Sequence, residues 1–242
     1  MSCSCTILPW DSAHWGFTVA KIDGHRLTAE TAKRSIAWCE QNRVRCLYFA
    51  ADGGCEGTLR SASENGFRFV DVRFDMERPS AALGPGGSGD VVCRSATQND
   101  LAAMEHLARS SHHDTRFFKD ANFDRAKASE LYALWVARDL SQHSVLAAAL
   151  SGQTEKVLGY LSVTESDADT SRIGLLAVSP EARGRGLARQ LVQTALAWSQ
   201  SRGMTKVRVA TQGTNVPALR LYESCGFKVI DVKIWFHRWF TA

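Results

Sequence analysis

The chain has 242 residues, of which 45% are hydrophobic and 22% are charged, and its formal net charge is +4 at pH 7. This length holds one large domain or two small ones with a core, and the modest, scattered charge argues against a nucleic-acid-binding protein. No apolar run approaches the roughly 20 residues that span a bilayer, and residues 1–5 lack the layout of a secretion signal. We therefore expect a cytoplasmic protein that does not bind membranes.

The cysteines predict free thiols and no metal site. There are seven of them, an odd number without a secretion signal, which favours a reducing compartment. Cys3 and Cys5 stand close together, but no second pair has the spacing of zinc ligands.

The first predicted elements are a helix over about 28–41, a strand over 46–50 and a Gly66-Phe67 turn before a further strand. Residues 80–90 are too rich in glycine to pack and predict a flexible linker. This linker divides the chain into a part over residues 1–79 and a part over residues 91–242.

The second part begins with a predicted strand over 91–95 and a helix that starts with an approximate capping box, Thr97 with Asp100. A polar loop over 112–120 separates this helix from another over about 124–140. Three predicted strands follow, over about 145–150, 157–163 and 173–178.

A glycine-punctuated loop after the last of these strands predicts a pyrophosphate cradle. Gly184 and Gly186 carry no Cβ, so the backbone can adopt unusual dihedrals and an anion can come close. The helix that starts near Gly186 points unpaired N–H groups and the positive end of its dipole at the loop. Arg183 and Arg185 add formal charge.

Two other glycine-rich motifs do not fit this loop. The dinucleotide fingerprint requires a third glycine, where this chain has Arg189, and no G-K-[ST] of a P-loop follows. The pattern [QR]-x-x-G-x-[GA] does fit, filled by Arg183, Gly186 and Ala188.

The elements after the cradle continue in a regular order. An amphipathic helix ends at Gly203, and a strand over 206–210 follows. Asn215 is placed as the N-cap of a short helix that ends at Gly226, and the last strand covers 227–238.

This motif and this order of elements resemble the GCN5-related N-acetyltransferases, the GNAT superfamily. The resemblance implies an α+β (mixed α/β) GNAT fold for residues 91–242, acetyl-CoA as co-substrate and no metal. It makes Tyr222 the catalytic acid. The cofactor-binding residues that it implies are Leu176, Ala177, Val178, Arg183, Gly184, Arg185, Gly186, Leu187, Ala188, Arg189 and Asn215.

The resemblance also gives these residues roles. Backbone groups of Leu176 and Val178 would bind the pantetheine arm, and the Val178 N–H would stabilise the oxyanion that develops on the thioester oxygen. Tyr222, seven residues after Asn215, would protonate the leaving thiolate. The ordinary alternative for a tyrosine on a short amphipathic helix is packing.

A general base is harder to predict. Related enzymes often carry a glutamate on the strand over 173–178, but its middle has no carboxylate here. We therefore expect the amine to lose its proton through water or to bulk solvent, with Glu165, His112 and His113 as weaker candidates.

The N-terminal part resembles an incomplete second copy of the GNAT half. A shift of 160 residues places Gly66-Phe67 on Gly226-Phe227 without a gap, although a chance match is the alternative. The same shift places residues 23–26 on the cradle and Ala62 on Tyr222, so the copy lacks its chemistry. We predict that it covers a sheet face and shapes the acceptor cleft.

Two aromatic-rich stretches indicate the chemical class of the acceptor. Residues 8–17 and 114–120, with 209–212, resemble the sugar-nucleotide N-acetyltransferases that acetylate TDP-4-amino-4,6-dideoxygalactose. The acceptor would then be a small-molecule amine, a sugar nucleotide. The residues placed in its binding site are Thr115, Arg116, Phe117 and Asp120.

Each of these substrate residues has an ordinary alternative. Arg116 would pair with a diphosphate, Phe117 would stack on a ring, and Asp120 would bind a hydroxyl or orient the amine. Alternatively, Arg116 and Asp120 form a structural ion pair and Phe117 enters the core.

Other functions stay open at this point. An acetyltransferase for a protein N-terminus or another amine is one alternative, which the aromatic loop and the second domain disfavour. A non-enzymatic CoA-binding module is the other, which Asn215 and Tyr222 disfavour because such a module needs no acid. The sheet edge of a half-domain also leaves a homodimer open.

Overall fold

The fold is seen in a computed structural model that describes residues 4–81, 90–142 and 144–241. Most of the predicted linker, residues 82–89, and Cys3 lie outside these ranges. The described strands are β1 Cys5–Ile7, β2 Val19–Ile22, β3 Cys46–Asp52, β4 Arg68–Pro79, β5 Val91–Ser95, β6 Ser144–Leu150, β7 Gly159–Asp167, β8 Thr170–Val178, β9 Lys206–Gln212 and β10 Lys228–Trp239. The helices are α1 Pro9–Trp15, α2 Ala29–Gln41, α3 Glu56–Glu64, α4 Leu101–Ser111, α5 Arg116–Lys119, α6 Arg125–Gln142, α7 Leu187–Ser201 and α8 Val216–Ser224.

All ten described strands form one mixed sheet, in the order β1-β2-β3-β10-β4-β9-β8-β7-β6-β5. Two neighbouring pairs are parallel, β2 with β3 and β8 with β9, and the other pairs are antiparallel. This mixed α/β architecture confirms the predicted fold class.

The two parts of the chain exchange their last strands. β10 lies between β3 and β4, and β4 lies between β10 and β9. Each closing strand therefore pairs with the other part of the chain as well as with the other closing strand. Residues 1–79 do not form a separate sheet, and their division from residues 91–242 as domains stays a prediction.

The internal repeat is also seen in the residue pairs that face each other on neighbouring strands. The bounds of β3 and β9, of α3 and α8, and of β4 and β10 each differ by 160 residues. Arg73 pairs with Gln212, and its counterpart Lys233 pairs with Asp52, the counterpart of Gln212. Arg73 and Lys233 also pair with each other. A pseudo-two-fold axis therefore passes between these two residues.

The repeat departs from this shift before α2. Val19 of β2 pairs with Cys46, whereas Thr170 of β8 pairs with the counterpart of Cys46, Lys206. β2 and β8 are therefore related by 151 residues rather than 160. The ungapped match of residues 23–26 to the cradle was wrong, because the connection from β8 to α7 is longer than the connection from β2 to α2.

Helices cover both faces of the sheet, and four of the described helices pack on each. The first face, which carries Leu47, Phe49, Val207 and Val209, packs against α2, α3, α7 and α8. The second face, which carries Tyr48, Tyr160 and Trp235, packs against α1, α4, α5 and α6.

Two arginines, one on each closing strand, stabilise the exchange of strands by equivalent hydrogen bonds. Arg78 of β4 donates from Nη1 to the carbonyl of Cys225 at the end of α8. Its counterpart Arg238 of β10 donates from Nη1 to the carbonyl of Asn65 at the end of α3, over 2.7 Å. Each closing strand thus satisfies a terminal carbonyl on a helix of the other part.

Removing one of these contacts tests the exchange. Arg78→Met takes a charged donor away from a buried carbonyl, so we expect the free energy of unfolding to fall by about 1–3 kcal/mol in chemical denaturation. Arg34→Met is the control, since Arg34 forms an exposed pair with Glu30, and such pairs contribute at most about 1 kcal/mol. Equal losses in both variants would contradict the locking role.

Candidate functional site

The sheet opens between β8 and β9. Their parallel pairing covers Thr170–Ile173 and Lys206–Val209, and beyond it β8 pairs with β7 while β9 pairs with β4. The opening is therefore flanked by residues 174–178 on one side and 210–212 on the other. Such a gap exposes main-chain N–H and C=O groups that a ladder normally satisfies.

Backbone directions show which groups of β8 face this opening. The N–H of Ser179 donates to the carbonyl of Leu158, at the start of β7, over 2.8 Å. Because N–H groups alternate in direction along a strand, the N–H of Val178 points the other way, into the opening. The carbonyl of Val178 points the same way as its N–H, away from β7, and accepts from the Arg183 side chain at 3.4 Å. Leu176, two residues earlier, shares the orientation of Val178.

The predicted cradle lies at the end of this opening. Gly184 and Gly186 have φ values of +74° and +85°, and both are open to solvent on the side where a Cβ would stand. The first bond within α7 runs from the N–H of Gln190 to the carbonyl of Gly186. The N–H groups of residues 187 and 188 come before this first bond, and these donors suit the oxygens of a pyrophosphate.

α8 follows the end of β9 and carries Tyr222. Asn215 is the N-cap of α8, and its Oδ1 accepts from the Ala218 N–H at 3.2 Å. Tyr222 is 4% exposed and packs edge-on against Phe227. Burial raises the pKa of its phenol, so Tyr222 keeps its proton at neutral pH. Neither placement tests the predicted roles, which stay predictions.

A cavity of about 190 Å³ adjoins the opening on the second face, and we call it the acceptor cavity. Residues 210–212 of β9 form one wall, Asp71 and Arg73 of β4 and Trp235 of β10 another. α5 and α6 complete it. Both parts of the chain therefore contribute to this cavity, while the predicted role of residues 1–79 in shaping an acceptor cleft stays a prediction.

Asp71 is the residue that sequence reasoning missed. It is 4% exposed, and burial raises the pKa of its carboxyl although Lys119 donates to it at 2.8 Å. Lys119 also donates to Thr214 at 2.6 Å and pairs with Asp114 at 3.0 Å. This group of four side chains joins α5, β4 and the loop before α8. Asp71 reaches this cavity only because β4 lies between β10 and β9. The spacing of residues near Asp71 in the sequence therefore could not have indicated that it lines the cavity.

Three of the four predicted substrate residues line this cavity, namely Thr115, Arg116 and Phe117. The Arg116 guanidinium lies 4.3, 4.5 and 4.0 Å from the ring centres of Tyr48, Phe117 and Trp235. This is a cation–π cage on three sides. Phe117 is 2% exposed and also packs in the core of the second face. Their roles toward a substrate stay predictions.

Asp120 lies elsewhere, in a buried polar cluster. Its Oδ2 contacts Nδ1 of His237 at 2.7 Å and accepts from Nε1 of Trp239 at 2.8 Å, while Oδ1 accepts from Asn122. Burial opposes its ionisation, but these hydrogen bonds outweigh burial and hold the pKa of Asp120 at about 2. Burial lowers the pKa of His237 to about 4. These contacts occupy both oxygens of Asp120, whose substrate role stays a prediction.

The three weaker candidates for a base do not line the acceptor cavity. Glu165 pairs with Arg202 at 3.1 Å. Nε2 of His112 contacts the hydroxyl of Tyr160, and burial lowers its pKa to about 4. His113 contacts the carbonyl of Arg109.

The described ranges contain no cluster of three side chains suited to a metal ion. None of the helices described in them has the length and apolar character needed to cross a bilayer. The compartment and the homodimer stay predictions.

Comparison with known proteins agrees with this geometry. The model of the Acetyltransferase (GNAT) family matches residues 102–227, more than half of the chain. The chain is 31% identical to the dTDP-fucosamine acetyltransferase of Escherichia coli O6:H1 over 96% of both chains. It is 29% identical to the spore coat polysaccharide biosynthesis protein SpsD of Bacillus subtilis, over 69% of this chain and 53% of that protein.

A solved GCN5-related N-acetyltransferase from Sphaerobacter thermophilus has the same fold. It superposes with a TM-score of 0.70 over 97% of this chain and 76% of its own, at 16% identity. The family model and the full-length relative show that the chain belongs to the GNAT acetyltransferases, enzymes that take their acetyl group from acetyl-CoA.

Proposed function

We propose that the protein transfers the acetyl group of acetyl-CoA to the amine of a nucleotide-linked amino sugar in polysaccharide biosynthesis. The acceptor would resemble a TDP-4-amino-4,6-dideoxyhexose and would attack directly in a ternary complex. The main support is the acceptor cavity, which both parts of the chain line next to the opening between β8 and β9. The relative that matches over 96% of both chains is named for acetyl transfer to dTDP-fucosamine.

The opening and the cradle suit acetyl-CoA. Residues 183–189 offer positive charge, and residues 187 and 188 offer main-chain N–H groups at the start of α7 for the pyrophosphate. Residues 176–178 offer backbone groups for the pantetheine arm, and Asn215 flanks the same opening. Bound acetyl-CoA supplies an acetyl thioester. The Val178 N–H is directed into the opening, where a fixed donor stabilises developing negative charge on the thioester oxygen.

The acceptor cavity suits an amine. Asp71 is its buried carboxylate, and we assign it the hydrogen bond that orients the acceptor amine. The raised pKa of Asp71 also makes it a better proton acceptor than an exposed aspartate. Water then carries the proton to solvent, as predicted where β8 lacks a carboxylate. Trp235 and Trp135 line the cavity with apolar surface for a deoxysugar ring.

Tyr222 supplies the last proton. Its phenol stays protonated at neutral pH because burial raises its pKa, and it lies on α8, the helix that follows β9. A protonated neighbour lowers the cost of expelling a thiolate.

Thiol release measured across acceptor classes tests this function. The panel comprises nucleotide-linked 4-amino sugars, peptides with a free N-terminus, polyamines and acetyl-CoA without acceptor. We expect turnover only with the nucleotide-linked sugars. Preference for peptides would support the protein N-terminus instead, and tight acetyl-CoA binding without turnover on any amine would support a binding module.

The cradle generates a prediction with a matched control. Gly184→Ala puts a Cβ on a residue with φ +74°, beside the expected pyrophosphate. We expect the dissociation constant of acetyl-CoA in calorimetry to rise by about tenfold, the loss of roughly 1.4 kcal/mol of binding.

Gly203→Ala is the control for this change. Gly203 has φ +75° and equally open surroundings, but it follows the other end of α7. Both substitutions carry the same conformational cost of roughly 1–2 kcal/mol, so only a ligand contact separates them. Equal acetyl-CoA affinity in the two variants would remove Gly184 from the cradle.

Tyr222→Phe isolates the proton donor. It removes one hydroxyl and leaves the ring against Phe227, so we expect kcat to fall by about tenfold to a hundredfold while the affinity for acetyl-CoA stays nearly unchanged. Tyr160→Phe is the control, because it removes a buried hydroxyl that contacts His112 instead. Unchanged turnover in Tyr222→Phe would exclude the phenol from the reaction.

A further inference from the structure

The second face of the sheet carries a groove next to the acceptor cavity. The groove has a volume of about 670 Å³, and its floor crosses the sheet from β2 to β8. Its lining comes from both parts of the chain, with Lys21 on β2, Ala50 on β3, Arg73 on β4, Lys233 on β10 and Arg208 on β9. Apart from Arg73 and Trp235, which also line the acceptor cavity, the lining residues of the groove have no role in the reaction described above.

Cations face each other on this floor. Arg73 pairs directly with Lys233 across β4 and β10, and Arg172 pairs directly with Arg208 across β8 and β9. Like charges in register on neighbouring strands destabilise a sheet. Two such pairs in one groove therefore indicate a site where an anion offsets the repulsion.

The carboxylates of the groove neutralise these cations only in part. Five lysines and arginines line the groove with three aspartates, and Lys21 pairs with Asp23 at 3.3 Å, whereas Arg172 forms no ion pair with the described residues. Asp231 pairs with Lys233 at 2.6 Å, and Arg208 bonds Glu77 at 2.7 Å. Arg73 donates through Nε and Nη2 to a single oxygen of Asp75. These contacts use two of the five N–H donors of the guanidinium, so Arg73 keeps donors for a further acceptor.

The groove and the acceptor cavity are continuous. Arg73 and Trp235 line both of them. From β9 at the opening to β2 at the far wall there are four strand spacings, or about 19 Å. An elongated acceptor with its amine at Asp71 would therefore extend along the groove toward β2.

Building on the proposed function, we propose that this groove binds the nucleoside diphosphate of the acceptor. The phosphates lie at Arg73 and Lys233, next to the acceptor cavity. The nucleoside lies beyond them, where Ala50 and Gly24 leave room for a ring and where the carbonyl of Ala50 holds Nδ1 of His25 at 2.7 Å. The N-terminal part of the chain would thus recognise the nucleotide.

Lys233→Gln tests the phosphate contact, with Lys228→Gln as the matched control on the same strand. Lys228 is exposed and does not line the groove. The probe is thymidine diphosphate, titrated by calorimetry into the full chain, with uridine diphosphate in parallel. We expect Lys233→Gln to weaken binding by about tenfold, as for one charge-assisted hydrogen bond, and Lys228→Gln to leave it unchanged.

Ala50→Phe tests the nucleoside position without altering charge. A ring on the groove floor would occupy the space assigned to the base, so we expect weaker diphosphate binding and a higher KM for the nucleotide-linked amino sugar. The affinity for acetyl-CoA should stay at the wild-type value in both groove variants, which also reports that they fold.

The outcomes separate this inference from the proposed function. If wild-type protein acetylates the nucleotide-linked sugar but neither groove variant changes its KM or the diphosphate affinity, the groove assignment is wrong and the proposed function stands. If wild-type protein binds no nucleoside diphosphate and acetylates no nucleotide-linked sugar, both are wrong. Weakened binding in Lys233→Gln and Ala50→Phe, with Lys228→Gln unchanged, supports the groove.

Discussion

The pairing of β4 with β10 is the interaction on which the rest of this structure depends. It places the closing strand of each part inside the sheet of the other, with Arg73 and Lys233 at the pseudo-two-fold axis. Arg78 and Arg238 then bond helix ends across the exchange. The two parts therefore share one sheet, and residues 1–79 line the acceptor cavity together with the second part of the chain.

The same exchange explains how two related halves differ in chemistry. Both have a helix, a strand, a helix and a closing strand at matching positions. In the second half, the connection from β8 to α7 is longer than its counterpart from β2 to α2 and contains the cradle glycines. In that half the strands also separate beyond Ile173 and Val209, which leaves backbone donors for a ligand. The first half keeps a polar floor on β2 and β3 instead. The two copies thus differ in their connections and in where their strands separate, and both line the acceptor cavity.

The sequence was sufficient to predict features that depend on residues close together in the chain. The Gly184 and Gly186 loop, the Asn215 cap and the Thr97 capping box each depend on residues within one turn, and the structure has all of them. Long-range features could not be predicted in this way. Asp71 meets Lys119 only because β4 crosses to the other half. The match of residues 23–26 to the cradle failed because the spacing of residues along the chain does not reveal the register of the parallel strands β2 and β3.

One small group of side chains connects the acceptor to the acid. Lys119 holds Asp71 and Thr214 together, and Thr214 directly precedes Asn215, the N-cap of the helix that carries Tyr222. The carboxylate that we assign to the acceptor amine and the phenol that we assign to the thiolate are therefore positioned by the same lysine. Because β4 supplies Asp71, both groups depend on the strand exchange. The N-terminal part thereby supplies one member of this group of side chains as well as strands of the shared sheet.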